Sequence, residues 1–415
     1  MRATTLTAAI RTPIPTTATR SREALERCLE PISVEQFLDH HWEQRPLVVP
    51  RSEPGRFDDL LSAGDVERLV CSHGLRFPGF RLVKAGESPR VADYTVDLPW
   101  RPASFSGSPD VTRIAAAFDR GATLVLQALH LHWPALAVFC RELEAQLGHP
   151  VQANAYYTPR DSQGLPVHHD THDVLVLQVS GEKRWLVYEP ALELPLRDQR
   201  YGPELGAPGE TVQDITLRAG DTLYLPRGWL HEALTSSRDS LHLTIGINVH
   251  TWLDALRAAL EACADDVEFR RSVPAEGALE VDLLERLRAR LEPEQIAARM
   301  RGKLVRMRRP ILPDQLQQVR LASALEAETP LERRATVLAD LDAGATLTFE
   351  GKQLRFPLHV RDDLEFVCNV AHPFCAADLP GSLDESSRLV LLRRLVREGF
   401  LAVTPSPRND GGVRG

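Results

Sequence analysis

Apolar residues recur along this chain in two rhythms, helical towards both ends and strand-like in the middle. Ser33-Val-Glu-Gln36 has the form of a capping box, in which the hydroxyl and the side-chain amide satisfy each other's backbone amides, so the folded chain is expected to begin near residue 31. A second helix is predicted from Pro134 in its first turn to Gly148 as its stop, because Leu136, Phe139, Cys140, Leu143 and Leu147 fall on one face at 3.6-residue spacing. From His149-Pro150 to about residue 250 the period shortens. The runs Asp173 to Val179, Lys183 to Tyr188, Thr222 to Leu225 and His242 to Val249, punctuated by Gly and Pro, predict the strands of a small barrel or sandwich. Thr251 can cap a helix from Trp252 to Leu260 with Leu253, Leu256 and Leu260 as its apolar stripe, a core face or a dimer seam, and helical character continues to about residue 305. Beyond 311 come further helices, a hairpin at Glu350-Gly351, and a last helix capped by Ser382 and Glu385 that stops at Gly399, together a winged-helix-like end domain.

Length and composition narrow the class. At 415 residues the chain calls for two or three domains, and 43% hydrophobic with 26% charged residues is a globular composition. No run approaches the roughly 18 apolar residues of a spanning helix, so a cytoplasmic protein off the membrane is expected. Residues 1–20 are rich in Thr and Ala with Arg2, Arg11 and Arg20, which reads as a disordered leader or an organelle transit segment rather than a secretory signal. Six scattered cysteines without a CxxC pair suggest neither a zinc cluster nor a disulfide framework. A net charge of −8 argues against direct nucleic-acid binding, which rests on phosphate neutralisation, and favours a basic protein partner. The six cations between Arg299 and Arg309 are accordingly read as a solvated helix face and linker.

The densest polar group of the β-rich region is His168-His-Asp170-Thr-His172, just before the apolar run from Val174. Residues two apart on a strand share a face, so His168 and Asp170 can direct a ring nitrogen and a carboxylate to one point. A third group is expected from His231, some 60 residues later in Gly220-Asp-Thr-Leu-Tyr-Leu-Pro-Arg-Gly-Trp-Leu-His231, where strand, turn and returning strand would place the imidazole inside the barrel. Two His and one carboxylate on one face of a metal leave positions open, the donor set of non-haem Fe(II) oxygenases. A 2-oxo acid could chelate there beside dioxygen, and the distal carboxylate of 2-oxoglutarate would need a buried cation. Lys183, two residues after the Ser180-Gly181 turn and expected on the next strand of the same sheet, is the best-placed candidate. His172 shares the same face and is the rival ligand, His169 should point away, and His242 either lines the interior or is a satisfied barrel histidine.

These residues also carry a family likeness. Ile32-Ser-Val-Glu-Gln-Phe-Leu, Trp42-Glu-Gln-Arg-Pro-Leu-Val-Val, Gly121-Ala-Thr-Leu-Val-Leu, Asn154-Ala-Tyr156, His168-His-Asp170, Gly181-Glu-Lys183-Arg-Trp and Gly220-Asp with Pro226 and His231 follow one another in an order that resembles the ribosomal oxygenases, a cupin-like branch of the JmjC 2-oxoglutarate oxygenases. The resemblance implies that His168, Asp170 and His231 hold Fe(II), that Lys183 takes the distal carboxylate of 2-oxoglutarate, and that Asn154 and Tyr156 lie beside that cosubstrate. It implies a double-stranded β-helix (jelly-roll) core, a helical dimerisation region, a C-terminal winged helix, and hydroxylation by O2 of an Arg or His side chain of a ribosomal protein. One position departs: where relatives can place a Ser near the cosubstrate this chain has Gly246, so that contact is missing or passes to Thr244.

The expected organisation is thus an α+β chain with a disordered leader over 1–30, a JmjC/cupin-like oxygenase domain with an N-terminal α/β cap over 31–250, a helical linker or dimerisation region over 251–310, a winged-helix-like domain over 311–405 and a disordered tail over 406–415. A homodimer is expected. Two rivals stand beside the hydroxylase. One is a lysine demethylase or a hydroxylase of another peptide or small molecule. The other is a non-catalytic cupin or winged-helix regulator, which would want a basic recognition helix, whereas the last helix mixes Arg388, Arg393, Arg394 and Arg397 with Asp384, Glu385 and Glu398.

Overall fold

A computed structural model describes residues 23–404 except 274, 276–280, 309 and 336. The expectations for 1–22, for the tail and for Arg309 lie outside the described residues. The described chain is already folded before residue 31, in the helix Glu23–Leu29. The reason is packing: Leu25, Cys28 and Leu29 are buried, and Arg27 reaches back to Asp59 with Nη1–Oδ2 at 3.0 Å. The helix Val34–His40 follows with its Ser33/Gln36 capping box formed.

The described residues form two compact units, Arg22–Glu144 with Pro150–Val249, and Ala145–His149 with residues from His250 onward. The first is built on two antiparallel sheets. The larger has seven strands in the spatial order Leu47–Val49, Thr222–Leu225, Asp173–Ser180, Ser240–Ile247, Val151–Thr158, Thr123–Leu126, Phe80–Val83. The smaller has Leu230–Thr235, Glu182–Tyr188 and Thr211–Arg218. Val174, Val176, Leu223 and Leu225 from the first meet Trp185, Val187 and Leu217 from the second in one buried cluster, so the sheets face each other as a jelly roll. The reverse face of the large sheet, with Ala153, Leu175, Leu243 and Ile245, is buried too, which is why Asp173–Ser180 reads as a continuous apolar run rather than an alternation.

Register sets the inner row. Thr244 stands between Asn154 and Val176, and His242 between Tyr156 and Gln178. The Gly181 turn does not return Lys183 to the same sheet, as the sequence suggested. Gly181 has φ +66° and abuts the Asp239 carbonyl so closely that no side chain fits, and the strand after it crosses to the small sheet.

The second unit contains the helices Trp252–Glu261, Val281–Arg290 and Pro293–Met307. Thr251 caps the first of them as expected. Next come Gln315–Ser323, Arg361–Asn369 and Glu385–Glu398, with a three-stranded sheet of Ala339–Leu341, Thr346–Phe349 and Lys352–Arg355. The hairpin turns at Glu350-Gly351, both at positive φ, as the sequence indicated. The last helix is capped two residues beyond the expected position. Asp384, not Ser382, accepts the Ser387 amide, and Gly399 at φ +85° closes the helix. Leu325, Leu347, Phe349, Leu364, Leu392, Leu395 and Phe400 share one core.

Candidate active site

One isolated bridge, from the loop carrying His168 to the strand Leu230–Thr235, brings the predicted triad together. His168 and His231 exchange both backbone hydrogen bonds, at 3.1 and 2.8 Å, although the regular strand begins only at Asp173. His168 and Asp170 therefore share a face because the bridge and the Gly228 amide, which donates to the Asp170 carbonyl at 3.1 Å, fix the segment, and not because they belong to a strand. Potential ligand atoms of His168, Asp170 and His231 all lie within 4.8 Å of one another, with His231 Nε2 3.9 Å from Asp170 Oδ2.

Both imidazoles are oriented. Nδ1 of His168 lies 2.8 Å from the Pro166 carbonyl and Nδ1 of His231 lies 3.0 Å from the Trp229 carbonyl. A carbonyl only accepts, so each Nδ1 donates a proton to it and Nε2 is the ring atom left to meet a cation. Burial, with the His168 ring beside it, holds the His231 imidazole down at about 4, so it is neutral near pH 7. Burial pushes the Asp170 carboxyl up, but His172, His231 and His168 together outweigh it and keep the group below the usual carboxylate range. Two imidazole nitrogens and one carboxylate oxygen suit a divalent transition metal, and three protein donors leave coordination positions open.

A cavity of about 50 Å³ opens from the triad between the sheets, and Tyr156, Lys183, Trp185, His242 and Thr244 are among its lining residues. Lys183 is buried, donates to Thr158 Oγ1 at 3.0 Å, and among the described residues has no carboxylate partner. Burial alone drives its ammonium down from 10.5 to about 7. The Trp185 indole N–H is buried without a hydrogen-bond partner. An unpaired cation and an unpaired donor in a closed wall are what an incoming anion would satisfy, so the residues present fit a metal with an anionic chelator.

The remaining candidates divide. Thr244 and Tyr156 line the cavity; the Tyr156 phenol is pushed up to about 12 by burial and by the Asp170 charge, with Arg81 hydrogen-bonding against that trend. Asn154 is on the same face of its strand but its side-chain oxygen accepts the Ala128 amide at 2.9 Å, so it holds the neighbouring turn. His172 is not grouped with the triad; its ring lies over Gly246, where an added Cβ would come within 2.5 Å of Cδ2. His169 points away, with Nε2 3.1 Å from the Gln199 carbonyl, as expected. His242 lines the interior, stacked on Tyr156 at 5.0 Å and edge-on to Trp185 at 5.5 Å, and burial together with Lys183 holds its imidazole well below the usual range. Sequence reasoning missed the hydroxyls of Thr158 and Thr123, 3.0 Å apart behind Lys183, although the alternation Asn154, Tyr156, Thr158 points to the first.

Comparison with known proteins agrees with this architecture. Residues 131–255 match the family model of the JmjC domain. The chain is 32% identical over 263 residues to ribosomal oxygenase 2 of Rattus norvegicus, covering 60% of this chain and 54% of that protein. It is 30% identical over 225 residues to the bifunctional lysine-specific demethylase and histidyl-hydroxylase NO66 of Drosophila persimilis, covering 54% of this chain and 31% of that protein. The chain thus spans about half the length, or less, of these curated relatives. Among solved structures, the Escherichia coli ribosomal oxygenase YcfD superposes with a TM-score of 0.56 at 18% identity, over 90% of this chain and 98% of that one. YcfD in complex with cobalt and 2-oxoglutarate superposes with a TM-score of 0.55. These likenesses establish the JmjC/cupin fold.

Proposed function

We propose that this chain is an iron(II)- and 2-oxoglutarate-dependent dioxygenase that hydroxylates an Arg or His side chain of a basic ribosomal protein. The observation that carries the reading is the convergence of His168, Asp170 and His231 at one end of a cavity whose wall also holds the unpaired Lys183. In this reading His168 and His231 offer Nε2, and Asp170 a carboxylate oxygen, to Fe(II). Lys183 holds the distal carboxylate of 2-oxoglutarate, with Thr158 steering the ammonium and Trp185 donating from the wall. Tyr156 and Thr244 shape the same chamber, and Asn154 fixes the Ala128 turn beside it. When bound, the metal supplies reduction of O2 coupled to decarboxylation of 2-oxoglutarate, which yields succinate, CO2 and a hydroxylated substrate. The protein's own contribution is orientation and exclusion of water: fixed tautomers, a dry cation and an aromatic wall.

The substrate class is supported by the names of the relatives and by the net charge of −8, which attracts cationic partners over several ångströms. No direct nucleic-acid contact and a cytoplasmic location belong to the same reading. Among the described residues no helix is long and apolar enough to cross a membrane. The exposed side chains Trp252, Leu253, Leu256 and Leu260 on one helix support a homodimer seam within the 251–310 region, and the helices around the Thr346–Arg355 hairpin support the winged-helix reading of 311–405. The name of one relative, which includes lysine demethylation, supports the alternative outcome on an N-methyl carbon. The test compares intact masses of ribosomal proteins from cells with and without the gene, alongside succinate release by the purified chain. One protein heavier by a single oxygen supports hydroxylation. Loss of a methylene unit supports demethylation. Succinate release with no ribosomal protein changed refutes the ribosomal assignment and leaves the oxygenase.

A further inference from the structure

Behind the cavity wall lies a charged pair that the proposed chemistry does not use. Asp173 is fully buried and Arg227 is 7% exposed. Oδ1 of Asp173 accepts both the Arg227 guanidinium, Nη1 at 3.1 Å, and the Arg227 backbone amide at 3.2 Å. Its other oxygen accepts the Tyr224 hydroxyl at 2.5 Å. The same Nη1 reaches Glu43 Oε1 at 2.5 Å, and the Glu43 amide donates to the Tyr224 hydroxyl at 2.9 Å. Four residues from three parts of the chain close one network.

The location gives the pair its meaning. Asp173 follows Asp170 by three residues, and Arg227 immediately precedes Gly228. Gly228 donates its amide to the Asp170 carbonyl, and the next residue, Trp229, provides the carbonyl that orients His231. Gly228 itself has φ +92° with its Cα against the Leu192 carbonyl, so this turn admits no side chain and has little freedom to adjust. The ion pair therefore ties the segment bearing the carboxylate to the turn that sets the second imidazole.

We propose that Arg227 and Asp173 are positioning residues of the metal centre, a buried brace that fixes Asp170 and the His231-orienting carbonyl relative to each other. This rests on the metal reading given above. Stability alone does not call for such a pair, because two buried charges cost several kcal/mol to desolvate and an apolar pair of the same volume commonly does as well. What a directional, multiply hydrogen-bonded pair adds is a single geometry, and orienting groups behind metal ligands are commonly worth about 10–100-fold in metal affinity.

The experiment measures Co(II) affinity and the visible ligand-field spectrum, with thermal unfolding recorded alongside, for the full-length chain and for Arg227→Met, Arg227→Lys, Asp173→Asn and Leu243→Ala. Leu243 lies on the reverse face of the large sheet and its truncation lowers stability without touching the brace. The expected result is a loss of about 10–100-fold in Co(II) affinity with an altered spectrum for Arg227→Met and Asp173→Asn, a smaller loss for Arg227→Lys, and wild-type Co(II) binding for folded Leu243→Ala. If Arg227→Met does not fold, Asp173→Asn and Arg227→Lys decide. Wild-type affinity and spectrum in the folded brace variants overturn the inference while leaving the metal reading intact. Failure of the wild-type chain to bind Co(II) overturns the metal reading, and the brace with it.

Discussion

Replacing Lys183 with Met should make the ligand-free protein more stable and cost it its cosubstrate. The ammonium is buried beside Thr158 with no counter-charge among the described residues, and burial lowers its pKa from 10.5 to about 7. At about 1.4 kcal/mol per pH unit this is a penalty of order 5 kcal/mol for carrying the proton in the fold, of which about 4 kcal/mol is felt at pH 7, where about half the native molecules have already released it. Methionine fills similar volume without the charge but forfeits the Thr158 contact, so a gain of about 1–4 kcal/mol is expected in denaturant unfolding at pH 7. The sign over pH follows. Below about 7 both native and unfolded lysine are protonated and the penalty is constant; between about 7 and 10.5 only the unfolded chain holds the proton, so wild-type stability rises with pH and the advantage of Lys183→Met fades. His242, the titratable group facing Lys183, is held low and neutral throughout that window, and the Tyr156 phenol titrates above it. If Lys183 holds 2-oxoglutarate as proposed, binding needs the protonated lysine, so wild-type affinity should fall towards tenfold per pH unit above about 7 and should be largely absent in Lys183→Met. A variant that is less stable than wild type at pH 7, or that binds 2-oxoglutarate equally well, refutes the reasoning.

Other perturbations test separate parts of the site. His168→Ala and Asp170→Ala should each abolish Fe(II) retention by elemental analysis while circular dichroism stays native; full metal occupancy in both would move the site, with His172 the first residue to examine. Gly246→Ser should push the His172 ring aside and cost about 1–3 kcal/mol, and His172→Ala should relieve most of that cost, a coupling that an additive double-mutant cycle would disprove. Leu256→Asp should convert a dimer to monomer by light scattering without lowering the melting temperature of the Pro150–Val249 region, and an unchanged mass would place the seam elsewhere.

The parts of the site that could be read from sequence are those whose spacing is local. His168 and Asp170 are two residues apart, and the segment from Gly220 to His231 announces a strand, a turn and a returning strand. What could not be read depends on where the chain goes next. Nothing near Gly181 says whether Lys183 returns to its own sheet or crosses to the other; the Asp239 carbonyl that forces the turn is far along the chain. The Asn154 oxygen is taken by Ala128, whose left-handed φ of 53° is unusual for a residue with a side chain and carries no sequence signal. Asp173 and Arg227 look like ordinary polar residues flanking strands until tertiary structure joins them across 54 positions. The last helix starts from Asp384 rather than Ser382 because capping residues compete locally, and only the observed turn decides between them.

The register of the small sheet carries a final consequence for which 2-oxo acid fits. His231 stands opposite Val187 and Lys183 opposite Thr235, so the two side chains leave strands whose relevant levels are four residues apart, about 13 Å along the sheet. A lysine side chain leaning back along the strand spans roughly half of that, which leaves a gap between ammonium and triad for a short chain with an anionic group at each end. A chelating 2-oxo carboxylate at the triad and a second carboxylate at Lys183 satisfy both ends, whereas pyruvate satisfies only the first. Pyruvate should therefore bind the Co(II)-loaded chain weakly and with the same affinity in wild type and Lys183→Met, while 2-oxoglutarate should bind the wild type much more tightly and lose that advantage in the variant. Oxaloacetate, one carbon shorter, should fall between them, because its distal carboxylate reaches Lys183 only if the ammonium gives up Thr158. Competition against a coloured Co(II) chelate measures all three. Equal discrimination among the three acids by wild type and variant would show that the second anchor is not Lys183, and the search would turn to Arg81 beside Tyr156.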